Sequence, residues 1–461
     1  MKSTVYIIFL SVIAALGGFL FGYDTAVISG TISSVKEQFS LDDIATGWYV
    51  GCALVGSIGG VAVAGRLSDR FGRRPVLFLA AILFTVSAAG CMIADDVPQL
   101  VVYRIIGGVG IGVASIISPL YISEIAVAKH RGRFVTLYQL AITVGILASY
   151  FVNADLMRYS QSDVNFGSGM MQKIFVDESW RAMLGAETVP ALLFLILLIF
   201  IPESPRWQIV NNREKRALSV MQRLYDATEA AARTDEIKSL LQSDNKSSWR
   251  LLMRPGFRKA LFIGVALAML GQFMGVNAVL YYGPVFFREA GLAKDGALDF
   301  QIVIGIVNVL TTILGLYLID RIGRKRLVYF GVSGMLVTLL LISLYFAGGM
   351  GASPYMLLIL IVLYIFFCAI SICTVIFVLL SEMYPAKIRG AAMSIAGFSL
   401  WIGTYLIGQL TPWLNSHLEP SGVFLLFAAA CLPYMLITWK LLPETTGRSL
   451  EEIERELKIK N

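Results

Sequence analysis

Twelve stretches of mostly apolar residues, each about twenty or more long, run through this chain, at roughly 5–30, 46–66, 75–94, 98–122, 134–154, 182–201, 259–287, 298–319, 327–348, 354–380, 391–413 and 421–442. At ~1.5 Å rise per residue, a helix of that length matches a hydrocarbon slab ~30 Å thick. No water reaches the backbone there, so each stretch must satisfy its own N–H and C=O groups, and the spacing predicts helices rather than strands. Composition agrees: 57% of the 461 residues are hydrophobic and 15% charged, whereas soluble domains carry about 25% charge.

The chain also repeats itself. Residues 65–74 read Gly-Arg-Leu-Ser-Asp-Arg-Phe-Gly-Arg-Arg, and a near copy covers 318–326, about 250 residues later. Ser123-Glu124 with Arg131-Gly132 returns as Ser381-Glu382 with Arg389-Gly390, and the Glu-to-Arg spacing is seven residues both times. Two charged cassettes in one order imply two homologous halves, which in a membrane chain is the pattern of a transporter built from parallel repeats. The expected organisation is an N-terminal six-helix bundle at 1–201, a cytoplasmic helical linker at 202–258, a C-terminal six-helix bundle at 259–442 and a cytoplasmic tail at 443–461.

The net charge of +7 could point to nucleic acid, but its placement does not. Basic residues collect between spans two and three (Arg66, Arg70, Arg73, Arg74), four and five (Lys129, Arg131, Arg133), and eight and nine (Arg321, Arg324, Lys325, Arg326), and the alternate loops are poor in them. The positive-inside rule then puts both termini in the cytoplasm. The first apolar run contains Asp24 and lacks a small-residue cleavage site, so it is expected to be a retained span. The five cysteines all fall inside predicted spans, without CxxC, and the two histidines are far apart. No disulfide framework, metal site or hydrolytic triad is indicated, and the chain is not expected to be an enzyme.

Within the linker, Ala217, Leu218, Met221, Leu224 and Tyr225 recur at helical spacing between charged residues, which predicts short amphipathic helices forming a platform or latch. In the tail, Ser449 with Glu452 fits a capping box.

Candidate chemistry lies in the charges that the spans tolerate, since each costs ~2.5–3.5 kcal/mol at the bilayer centre unless paired, hydrated or neutralised. Asp24, Arg104 and Glu187 are such residues. A carboxylate that pairs with Arg104 when ionised and releases it when protonated is a proton switch; a static ion pair is the plain alternative, and Glu187 could equally brace local packing. The run Gly107-Gly108-Val109-Gly110-Ile111-Gly112 has no preceding strand and no following Gly-Lys-Ser/Thr, so close helix packing through Gly108/Gly112 and Gly56/Gly60 is expected, not a phosphate loop. At the cytoplasmic helix ends, Asp69 with Arg73, Glu124 with Arg131, Asp320 with Arg324 and Glu382 with Arg389 are expected as gating salt bridges.

These cassettes, together with Pro-Glu-Ser-Pro-Arg-Trp (202–207), Gln272-Phe-Met-Gly275-Val-Asn277 and Pro-Glu-Thr-Thr-Gly-Arg (443–448), resemble the sugar porter family of the major facilitator superfamily, nearly end to end. That family includes bacterial xylose/proton symporters and facilitative glucose transporters. The resemblance implies an all-α membrane protein of twelve helices in two pseudo-symmetric six-helix halves, a central monosaccharide site and alternating access. It assigns Phe21, Gln139, Gln272, Asn277, Tyr281, Asn308, Phe377 and Trp401 to substrate binding. Amides suit a polyol because each donates and accepts, and an aromatic face covers its C–H surface; any one of these amides could instead bond helix to helix.

Proton-coupled members resemble this chain in carrying a carboxylate at the position of Asp24, so symport is expected, with a facilitative uniporter or a membrane sugar sensor as alternatives. The expected partners are a sugar, a proton and the lipid bilayer of an inner membrane, with no cofactor beyond the co-transported proton, no nucleic acid and a monomeric state. The family's paired glutamines, its polar residue in span five, its amide in span eleven and its Gly-Pro in span ten are replaced here by Gly271, Ile146, Leu400 and Cys373-Thr374, which implies altered sugar recognition and leaves the bend in span ten in question.

Overall fold

The computed structural model describes residues 2–126, 131–162, 166–225, 230–231, 234–235, 237–238, 252, 255–348, 353–384, 388–442 and 444. The side chains of Arg131, Asp320 and Phe377, and the proposed capping box at Ser449 and Glu452, lie outside the described residues. Among those described there is no strand, and eleven helical stretches are long and apolar enough to cross a membrane. The last, Arg389–Lys440, breaks at Glu419, where φ is 57° and Pro420 follows. Divided there, it supplies spans eleven and twelve, in agreement with the expected all-α fold of twelve.

The helices overrun the apolar stretches that predict them. Span one runs Lys2–Phe39 over 38 residues, or ~57 Å at ~1.5 Å per residue, and spans two (Asp43–Phe71) and four (Val97–Ile125) have 29 residues each. Their polar ends continue helically past the lipid because the next residue to break the pattern is a cap. Asp96 is one such cap: its Oδ1 accepts from Gln99 N at 2.8 Å at the start of span four, and Pro98 stands in the first turn, where its missing N–H costs nothing.

The chain packs as two compact units. One comprises 1–27, 52–152 and 159–245; the other comprises 28–51, 153–158 and 246–461. This partition follows packing and not chain order, because the ends of spans one, two and five belong with the second unit.

In the first unit, spans three (Arg73–Ile93) and four lie against each other, and spans two and four cross through glycine. A methyl added at Gly56 would sit 3.1 Å from Gly108 Cα, and one at Gly60 would sit 3.1 Å from Gly112 Cα. The small residues therefore set the approach of two backbones, as their spacing implies. The described start of the linker docks on this unit. Its helices Pro205–Val210 and Glu214–Leu224 bury Trp207, Ala217, Met221 and Leu224, Trp207 Nε1 donates to Asp69 O at 2.8 Å, and Tyr225 Oη donates to Ile125 O at 2.9 Å.

In the second unit, span seven is interrupted. Helices Pro255–Phe273 and Val276–Glu289 meet at Gly275, which adopts φ 90° with the Phe427 ring packed where a Cβ would stand. Only glycine takes that conformation without steric cost. The carbonyl freed at Met274 accepts from Tyr364 Oη at 2.8 Å, so that oxygen is not stranded in an apolar surround. Span ten, Pro354–Cys368 and Thr374–Met383, carries a π-turn at Ala369–Cys373. Without Gly-Pro, the deformation comes from one extra residue in the turn, and Thr374 Oγ1 donates to Ala369 O at 2.6 Å across it.

Candidate functional site

In the first unit the three intramembrane charges come together. Asp24, on span one, accepts an ion-paired hydrogen bond from Arg104 Nη1 on span four, and both side chains are almost wholly buried. Glu187, on span six (Ser179–Phe200), is 3% exposed and close enough to interact electrostatically with both. Span one reaches this position because Gly22 lies against the carbonyl of Ile142, and Gly145 against that of Phe19, so spans one and five touch backbone to backbone. Span four approaches from the other side, with Gly107 against Ser87 and a methyl there 3.7 Å from Asp24 Oδ2. Asp24 Oδ2 and Glu187 Oε1 are buried with no hydrogen-bond partner. One guanidinium thus faces two carboxyl groups in a site that water does not screen. Phe21 and Gln139, the two substrate candidates of this unit, are half-buried on spans one and five.

The second unit holds the other candidates. Gln272 stands on the last turn before the break at Gly275 and Asn277 just after it, so the interruption places two amides on one stretch of span seven. Gln272 Oε1 accepts from Asn277 Nδ2 at 2.7 Å and from Thr404 Oγ1 of span eleven at 3.1 Å. With its oxygen engaged twice, Gln272 keeps its NH₂ for a further acceptor, and Asn277 keeps its Oδ1 and one N–H. Thr404 was not among the sequence candidates; its place one turn after Trp401 was the available signal. Asn308, Tyr281 and Trp401 are buried; Leu400, where the family has an amide, leaves Thr404 as the polar neighbour. The Phe377 side chain is outside the described residues.

At the helix ends that carry the charged cassettes, the glutamates meet arginines of neighbouring spans. Glu124 receives Arg73 in a bidentate grip, Nε to Oε2 and Nη2 to Oε1 at 2.9 Å each; the side chain of Arg131, its expected partner, lies outside the described residues. Asp69 stands 3.5 Å from Arg73 and is four-fifths exposed, so it contributes little beside Glu124. In the second unit Glu382, paired in the sequence reading with Arg389, accepts from Arg324 Nη2 at 3.0 Å, and Arg389 donates to Tyr384 O at 3.2 Å. In both halves a neighbouring span brings an arginine to the glutamate.

Two further carboxylates complete this arrangement. Glu203 accepts from the backbone N–H of Arg73 at 2.8 Å and of Arg74 at 3.2 Å, at the start of span three beneath Gly72. Glu444 accepts from Arg324 N at 3.1 Å and Lys325 N at 3.2 Å, at the start of span nine beneath Gly323. Both glycines have φ near +100°, and a Cβ on either would meet the carboxylate. A carboxylate on free helix N–H groups is favoured by the helix dipole. Burial nevertheless pushes the Glu203 carboxyl above its ordinary value, against the backbone N–H groups that favour its charge. The Pro-Glu pair opening linker and tail alike was the signal for both.

At the opposite ends of the helices, the second unit carries ion pairs absent from the sequence reading: Lys36 with Asp43 at 2.8 Å, Glu37 with Lys294 at 2.7 Å and Arg288 at 3.5 Å, and Arg158 with Asp299. Lys36, Glu37, Asp43 and Arg288 of these pairs line a cavity of about 410 Å³, together with Glu289 and Asn415.

Residues 10–457 match the family described as "Sugar (and other) transporter". The arabinose-proton symporter of Bacillus subtilis (strain 168) is 36% identical over 98% of this chain and 95% of its own length. The glucose transporter GlcP of Staphylococcus epidermidis (strain ATCC 12228 / FDA PCI 1200) is 36% identical over 99% and 98%. The solved structure of the major facilitator superfamily proton:xylose symporter XylE bound to 6-bromo-6-deoxy-D-glucose superposes with a TM-score of 0.81 at 35% identity, covering 99% of this chain and all of that one.

Proposed function

The chain belongs to the sugar (and other) transporter family of multi-pass membrane carriers, and from that premise we propose that it is a symporter that imports a pentose, a hexose or a related polyol together with a proton. The observation that carries the proton is the buried cluster of Asp24, Arg104 and Glu187. A guanidinium balances one carboxylate; a second acid in the same dry site must hold a proton or leave a charge unpaired, at a cost of several kcal/mol. Such a cluster has a place for one transferable proton. When Asp24 takes it, Arg104 loses its partner and the packing of span one on span four must readjust, so that binding of the proton is felt by the helices.

Sugar recognition is assigned to Phe21, Gln139, Gln272, Asn277, Tyr281, Asn308, Phe377 and Trp401. The orientation of Gln272, fixed by Asn277 and Thr404, supports this: a preset amide gives up little freedom when a hydroxyl meets it. Relatives named for arabinose and for glucose bracket the substrate class. The chain is placed in a bacterial-type inner membrane with both termini cytoplasmic, working as a monomer without a cofactor. The cytoplasmic pairs Arg73–Glu124 and Arg324–Glu382 would break and re-form during the cycle.

Sugar added to lightly buffered, energy-depleted cells or proteoliposomes should make the external medium alkaline. Uptake without that change would leave facilitated diffusion, the second reading.

A further inference from the structure

The thiols of Cys368 and Cys373 lie 3.6 Å apart, either side of the π-turn in span ten. In a regular α-helix residues five apart point about 140° from one another, since each residue turns the chain by ~100°. The i→i+5 turn narrows that offset and brings them to one face. Their approach is held, because Thr374 Oγ1 is bonded to Ala369 O at 2.6 Å and Ser371 Oγ to Phe367 O at 2.6 Å, pinning the turn from both sides. The two sulfurs differ in access: Cys368 is fully buried and Cys373 is partly exposed. That is the arrangement of an attacking and a resolving thiol, one reachable and one in contact behind it.

We propose that Cys368 and Cys373 are a redox site, oxidised by a small hydroperoxide to an intrahelical disulfide that stiffens span ten. The Cys373 sulfur attacks the peroxide; the O–O bond breaks, an S–O bond forms, and the displaced hydroxide leaves as water with the thiol's proton. The Cys368 sulfur then attacks Cys373; the S–S bond forms, the S–O bond breaks, and the second hydroxide leaves as water with the Cys368 proton. Two thiols and one hydrogen peroxide give one disulfide and two waters. Closure brings the sulfurs from 3.6 Å to a bond of ~2.05 Å, a movement within the span's own turn. The cross-link bridges the π-turn, the one place in span ten where the helical ladder is irregular and able to bend. Slowed transport is therefore the expected consequence, and that consequence alone rests on the transport reading above.

The test uses the full chain in proteoliposomes exposed to hydrogen peroxide, with free thiols alkylated before digestion and mass analysis. The expected product is a peptide carrying residues 368 and 373 that is two hydrogens lighter and unalkylated at both, the other three of the five cysteines remaining free. Dithiothreitol should reverse it. Five free thiols after peroxide, a sulfinic acid on Cys373 with Cys368 still free, or a bridge to Cys431 would each overturn the site. That measurement needs no variant and no assumption about cargo. Sugar exchange should fall several-fold in step with disulfide formation, recover with dithiothreitol, and stay constant under peroxide in Cys368→Ser and in Cys373→Ala. A disulfide that forms without slowing exchange would overturn the stiffening of span ten while leaving the chemistry intact.

Discussion

Replacing Asp24 by Asn keeps the shape of the side chain and its Oδ1 acceptor for Arg104 but removes both the charge and the place for a proton. One proton moving through 100 mV supplies ~2.3 kcal/mol; at ~1.4 kcal/mol per factor of ten, this sustains about fifty-fold accumulation of a neutral solute. Proteoliposomes holding the unmodified chain, with a potassium diffusion potential of that size and no pH gradient, should approach that ratio. Those holding Asp24→Asn should level at a ratio near one while sugar exchange between the two sides continues. The structural cost follows from the same contact. Breaking a buried ion pair from one side costs ~3–5 kcal/mol, and the remaining acid Glu187 should hold Asp24→Asn at the low end of that range. Adding Glu187→Gln leaves Arg104 with no acid in the cluster, so the double variant should lose more stability than the two single losses combined, read from denaturation in detergent. Accumulation by Asp24→Asn equal to that of the parent would refute the coupling argument, and strict additivity would refute the shared cluster.

Gln272→Ala removes the acceptor of Asn277 and Thr404 along with its own NH₂ donor; sugar affinity measured by calorimetry should fall about 10- to 100-fold, worth ~1.4–2.7 kcal/mol, and an unchanged affinity would place the pocket elsewhere. Because burial raises the Glu203 carboxyl above its ordinary value, the folded protein binds that proton more readily than the unfolded chain, and stability falls as pH rises from the ordinary value through the raised one. Melts of Glu203→Gln across pH 4–7 should therefore be flatter than the parent's; parallel curves would contradict this. Gly60→Val drives a branched side chain into the crossing of spans two and four and should cost ~1–3 kcal/mol as overpacking; the midpoint in denaturant checks it, and Gly59→Val, with nothing within 4 Å, is the control expected to change little.

What the sequence determined alone is what lipid and repetition impose. Runs of about twenty apolar residues admit one backbone solution, so the spans were legible, as were their overall number and the duplication that pairs Arg73 with Arg324 and Glu124 with Glu382. The scarcity of charge in those runs was equally informative: Asp24, Arg104 and Glu187 stand out because each is costly in hydrocarbon, and the structure brings the three into one buried cluster. Close approach through Gly56, Gly60, Gly108 and Gly112 could be read from spacing because glycine on one helix face has no other packing use. Tertiary structure decided the partners. A carboxylate or amide oxygen bonds whichever donor the fold brings to it, and a distant span supplies one: Arg73 for Glu124, Arg324 for Glu382, the free N–H groups of spans three and nine for Glu203 and Glu444, and Thr404 for Gln272. The break at Gly275 needed Phe427 and Tyr364, and the π-turn that joins Cys368 to Cys373 needed Thr374. Each depends on where a distant helix comes to rest, and a linear pattern carries periodicity but no distances between helices.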